Sequence, residues 1–101
     1  NQPLISQISV WQIAIKQLMI NIRTRDSTEI EEARGNLKQA QIEIMNFEGQ
    51  LVEGRKLSKS DLFQFRMSES IRRLCAYARD FGEILLNIKM YDEMIIDKSN
   101  D

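Results

Sequence analysis

Few residues in this chain are of a type that does chemistry. It has no histidine and one cysteine, Cys75, in 101 residues. That removes the imidazole on which most acid–base triads and transition-metal sites depend. Cys75 stands beside Leu74 and close to Ala78, with no base to activate it, so it reads as a small core residue; Arg72 and Arg79 are the cations near enough in sequence to assist a thiolate. Asp80-Phe81-Gly82 has the letters of a kinase metal-binding tripeptide, but there is no glycine-rich loop and no room for a kinase fold. Carboxylates one turn apart, as at Glu29 and Glu32, occur on any solvated helix, and a hard-cation site without histidine needs acids converging from several helices. The remaining pattern is basic. Lys59, Arg66 and Arg73 recur every seven residues, with Arg72 and Arg79 nearby. Such a line either meets phosphate or an acidic peptide, or packs against acids of its own fold. The sequence favours the second, with Glu29, Glu43, Glu48 and Glu53 as the facing acids. The expectation is therefore no catalytic residue, no cofactor and no metal.

The elements that position these residues are helical. Pro3 suits a first helical turn, where its missing N–H is not needed. From there Leu4, Ile8, Trp11, Ile15, Leu18 and Ile22 step by three or four residues, predicting a helix over about 3–24. A second apolar set, Ile5, Val10, Ile13 and Ile20, lies beside or across from it. Arg25-Asp26-Ser27 breaks the pattern, and Asp26 with Glu29 forms a capping-box arrangement. Ile30, Ala33, Leu37, Ala40, Ile44, Phe47 and Leu51 then make an uninterrupted heptad seam, predicting a helix over 27–53. Gly35 and Gly49 inside it read as close contacts or as tolerated cost. Gly54 is a stop signal, and Ser58 with Asp61, or Ser60, starts the last helix, expected over about 60–96. Its seam is Met67, Ile71, Leu74, Ala78, Phe81, Leu85 and Ile88; Phe63, Tyr77, Ile84 and Tyr91 run beside it at multiples of seven. Gly82 is the one credible break. The prediction is an all-α, antiparallel three-helix bundle with a long last helix.

Composition limits the function. With 43% hydrophobic and 29% charged residues, four glycines and one proline, the chain is too apolar for disorder and too poor in turn residues for a β-sandwich. The longest apolar run, Leu74 to Ala78, is far too short for a membrane span. The net charge of −1 supplies no general attraction to nucleic acid. Residues 1–25 carry three bases and no acid, 26–54 seven acids and two bases, and 55–101 nine bases and eight acids. That distribution suits helices with complementary polar edges. A single cysteine and no signal-peptide pattern suit the cytoplasm.

The stretch Ser70-Ile71-Arg72-Arg73-Leu74-Cys75-Ala76-Tyr77-Ala78-Arg79-Asp80-Phe81-Gly82-Glu83-Ile84 resembles the signature helix of PhoU-like proteins, regulators of phosphate uptake. Arg73, Leu74, Tyr77, Ala78 and Glu83 fall where that helix wants them, and Phe81 and Gly82 are similar in kind. Asp26 ahead of the helix from Ile30 is similar to the family's entry into its second helix. The resemblance implies that residues 1–101 form a single PhoU-like three-helix domain, where many members carry two in tandem. It further implies a cytoplasmic regulator acting near a phosphate transporter and its sensor. The family's metal motif, an acid, three residues and then an Asp, falls here on Arg72 and Ala76, so its metal cluster is not carried over.

More than one apolar stripe on the first and last helices leaves surface that a three-helix monomer does not cover. The methionines Met19, Met45, Met67, Met90 and Met94 pack adaptably. The expected partner-binding residues are Trp11, Ile15, Met19 and Ile22 on helix one, with Ile84, Tyr91 and Met94 on the last. The partner is a protein, such as a phosphate transporter or sensor component, or a second copy in a homodimer; neither nucleic-acid binding nor membrane insertion is expected. The alternatives are a homodimeric or hetero-oligomeric coiled-coil scaffold subunit and an export-chaperone-like helical bundle.

Overall fold

α1 (Gln2–Thr24), α2 (Ser27–Val52) and α3 (Lys59–Ser99) follow one another as an antiparallel all-α bundle. This structure, a computed structural model, describes residues 2–53 and 56–99, with side chains for 3–53 and 56–95. The expected stop at Gly54 lies outside the described residues. The molecule is a rod of 66 × 19 × 16 Å, its length set by the 41 residues of α3, which run through Gly82 without a break. α1 and α3 are parallel to each other, both pack on α2, and they meet one another less than either meets α2.

The helix ends explain themselves chemically. Asp26 caps α2 by accepting from the backbone N–H groups of Thr28, at 2.9 Å, and Glu29, at 3.2 Å. The sequence expectation that Glu29 returns the favour to the Asp26 N–H is corrected. That N–H donates instead to Asn21 Oδ1 at 2.7 Å, and Glu29 accepts from Asn21 Nδ2 at 2.8 Å. Asn21 is fully buried, accepts also from Thr24 Oγ1 at 2.7 Å, and donates to the Gln17 carbonyl at 2.9 Å. One side chain thus knits the end of α1 to the start of α2, and Arg25 turns the corner in the left-handed region, with φ 51°. Asn21→Ala should therefore cost about 2 kcal/mol of unfolding free energy, because several hydrogen-bonding groups lose one shared partner. Thermal denaturation tests this; an unchanged Tm would mean the turn holds without Asn21. At α3 the reciprocal cap is made as expected: the Asp61 N–H donates to Ser58 Oγ at 3.1 Å and the Ser58 N–H to Asp61 Oδ2 at 3.0 Å.

The core seam on α2 is Ile30, Ala33, Leu37, Ala40, Ile44, Glu48 and Leu51. It matches the predicted seam except that Phe47 is half-buried and Glu48 is buried beside it. Glu48 is tolerated because Arg72 meets it with two donors, Nε at 2.9 Å and Nη2 at 3.4 Å. On α3 the expectation needs a larger correction. The buried line is Ser68, Ile71, Cys75, Ala78, Gly82 and Leu85, and Leu74, expected in the core, is 43% exposed. α1 has turned likewise: Leu4, Gln7, Ala14, Leu18 and Asn21 are buried, while Ile8, Trp11 and Ile15 are half-buried and Ile22 is exposed. The physical reason is approach distance. Small residues at the contact let helix axes come close, and the bulky side chains of the same heptads are displaced to the flanks.

Candidate functional site

The displaced side chains of α3 form ridges, because residues seven apart stack along one side of a helix. The first ridge outside the core is Met67, Leu74, Phe81 and Ile88. The next is Phe63, Ser70, Tyr77, Ile84 and Tyr91, of which Tyr77 is 65% and Tyr91 64% exposed. α1 answers with Ile8, Ile15 and Ile22, then with Ile5, Gln12 and Met19 further out. The two sets border an open channel along the α1–α3 side of the rod. A cleft of about 260 Å³ on this side is lined by Ile8, Trp11, Met67, Ser70, Ile71 and Leu74. Ser70, the one hydroxyl there, donates to the Arg66 carbonyl at 3.1 Å, which ties its proton to its own helix. The opposite side of α1 mixes exposed Ile13 and Ile20 with a polar contact to α2, in which Gln7 Nε2 donates to Glu43 at 2.5 Å.

The residues expected to bind a partner fall as follows. Trp11 and Ile15 are half-buried and pack against the core, forming the α1 wall of the channel. Met19 and Ile22 continue that wall as exposed side chains. Ile84 and Tyr91 stand exposed on the outer α3 ridge. Met94 is not brought to this channel. It continues the ridge of Arg66, Arg73 and Asp80, beyond Asp92, whose pairing with Arg25 marks the end of α1. Sequence reasoning missed Ile8, Met67 and Leu74 as channel residues because their spacing is equally that of a core seam. The heptad repeat of Phe63, Tyr77, Ile84 and Tyr91 was the visible signal of a second, outward stripe.

The charged residues are also placed differently from expectation. Those of α3 that meet α2 include Arg72, paired with Glu48, Arg79, whose Nη1 donates to Gln41 Oε1 at 2.7 Å, Lys89, whose Nζ donates to Ser27 Oγ at 3.3 Å, and Glu83, 4.0 Å from Arg34. Arg34 of α2 reaches across with Nε to the Arg79 carbonyl at 3.3 Å. The line Lys59, Arg66 and Arg73 does not face α2. It is exposed on the ridge beyond Phe63 and Tyr77, since a side chain cannot cover both edges of one helix.

Cys75 is fully buried on the core line, and burial pushes its thiol pKa up, which keeps it neutral and unreactive. No three His, Cys, Asp or Glu side chains gather into a metal-holding group among the described residues. Arg72 is committed to Glu48, and Ala76 has no donor side chain. No helix among the described residues is long and apolar enough to cross a membrane. The arrangement offers apolar area, aromatic edges and a concave floor, which are means of binding. No protein-family model, curated protein or solved structure matches this chain.

Proposed function

We propose that this chain is a non-enzymatic docking module that takes a partner protein into the channel between α1 and α3. The supporting observation is the continuity of that surface: two apolar ridges on α3 lie outside the core, and two on α1 face them. A helix that only closes a core needs one apolar face, and aromatic side chains left exposed in a row mark interaction surfaces. Tyr, Trp and Met are also the residues that interface centres favour. The resemblance to PhoU-like regulators supplies a finer reading, in which the partner is a phosphate transporter or sensor component met in the cytoplasm. Leu74 and Tyr77 carry part of that resemblance, and both border the channel.

The test is a double charge insertion, Ile84→Asp with Tyr91→Asp. Ile84 is 54% exposed, so helical content by circular dichroism should be unchanged. Ile15 is the wrong site for such a change, since it packs against the core and a charge there would unfold the bundle. Binding to purified cytoplasmic components of a phosphate transporter and its sensor, read by calorimetry, should weaken by about a hundredfold or more. Equal binding by variant and parent would refute the channel as the site. No binding by the parent would refute this choice of partner.

A further inference from the structure

Resting on that docking role, we infer that the occupant of the α1–α3 channel is an amphipathic helix whose apolar stripe is flanked by Asp and Glu. Shape comes first. A furrow between two parallel helices fits one further rod, which would complete a four-helix cross-section, and the cleft at Ile8 and Trp11 takes an apolar anchor from it.

Charge then specifies the flanks. Beyond Phe63 and Tyr77 the next ridge of α3 is Lys59, Arg66 and Arg73. Beyond Ile5 and Met19 the next ridge of α1 is Ser9, Lys16 and Arg23, and α1 contains no acid at all. The channel thus carries cations along α3 at its Ile8 end and along α1 at its Ile22 end, in a chain whose net charge is −1. Arg73 is paired with Glu69 at 2.5 Å. Lys16, Arg23, Lys59 and Arg66 are exposed and make no ion pair among the described residues, whereas Arg25, Arg34 and Arg72 do. Asp80 is the one carboxylate continuing the α3 ridge; the acids of α2 lie on another side of the rod. A second copy docking by the same face would bring from its rims only Asp80 to meet these cations. A flat anionic bilayer would reach the ridges and leave the concave floor uncovered. A helix with acidic flanks satisfies both floor and rim.

Two synthetic helical peptides provide the probe. They share one leucine stripe at heptad spacing and differ only in the flanking positions, glutamate in one and lysine in the other. At low salt the glutamate peptide should bind the intact protein about tenfold or more tighter, with the difference mainly in the association rate. The triple variant Lys59→Glu, Arg66→Glu, Arg73→Glu alters exposed side chains, so its circular dichroism should match the parent; its preference between the peptides should shrink or reverse. Equal affinity for both peptides overturns the acidic occupant and leaves the docking channel standing. Failure of both peptides to bind counts against the channel itself and overturns the inference with it. Two further results overturn it: a dimer in sedimentation that Ile84→Asp with Tyr91→Asp dissolves, and binding to phosphatidylglycerol vesicles, lost in the triple variant, without discrimination between the peptides.

Discussion

Leu37→Ala should lower the unfolding free energy by about 2–5 kcal/mol, because a side chain at 0% exposure leaves a cavity that its neighbours fill only in part. Leu37 lies midway along α2, the helix on which both others pack, so neither end can fray to relieve the void. The measurement is a urea titration, in which the midpoint falls while the slope is unchanged. Leu74→Ala is the internal comparison. It removes the same atoms from a side chain that is 43% exposed and should cost about 1 kcal/mol or less. Equal losses for the two would mean that the heptad register read from the sequence, with Leu74 inward, is the true one.

Gly82→Leu should cost about 3 kcal/mol, since overpacking a closed contact forces backbone and rotamers to shift. A Cβ built at Gly82 would lie 2.8 Å from Arg34 Cγ and 3.3 Å from Leu18 Cδ2. Arg34 cannot simply swing aside, because its Nε is held by the Arg79 carbonyl and an Nη pairs with Glu31 at 3.1 Å. The opposite sign is expected at Gly35, where nothing lies within 4 Å of a new Cβ. Gly35→Ala should raise stability by about 1 kcal/mol through helix propensity alone. Thermal melts of both variants decide the matter. A neutral Gly82→Leu would show that α2 and α3 are not in close approach there.

The contrast between these glycines marks what was legible in the sequence. Helix number and order followed from periodicity, the boundary between α1 and α2 from the Arg25-Asp26-Ser27 break and the start of α3 from the Ser58–Asp61 cap, whereas α3 runs on to Ser99, past the expected end near residue 96. The α2 seam was readable because its inward residues are also its apolar ones. On α3 the two properties separate: Ser68, Cys75 and Gly82 are inward because they are small, and Met67, Leu74 and Phe81 are displaced because they are large. A hydrophobic pattern ranks Leu74 above Cys75 and so turns the helix by one ridge. Asn21 was likewise unreadable, since a buried asparagine is accounted for only by partners on a helix not yet placed. The candidate site was half legible: the surplus of apolar stripes announced a surface, but the basic line was assigned to the wrong edge of α3.

Arg34 resting on Gly82 has one further consequence, for alignment. A bundle whose apolar residues recur every seven is nearly indifferent to a helix sliding by one heptad, because each ridge lands on its own repeat. Slid one way, α3 would bring Lys89 to the place of Gly82, beneath Arg34 and against the fully buried Leu18. Slid the other way it would bring Cys75 there, with a Cβ that the contact excludes, Phe65 opposite Glu48, and Leu85 opposite Arg25. Gly82 beneath Arg34, and Asp92 opposite Arg25, have no equivalent seven residues to either side, whereas Arg72 opposite Glu48 is repeated by Arg79 and marks one direction only. They act as a vernier: burial draws the helices together along any of several marks, and these contacts together select the one at which they stop.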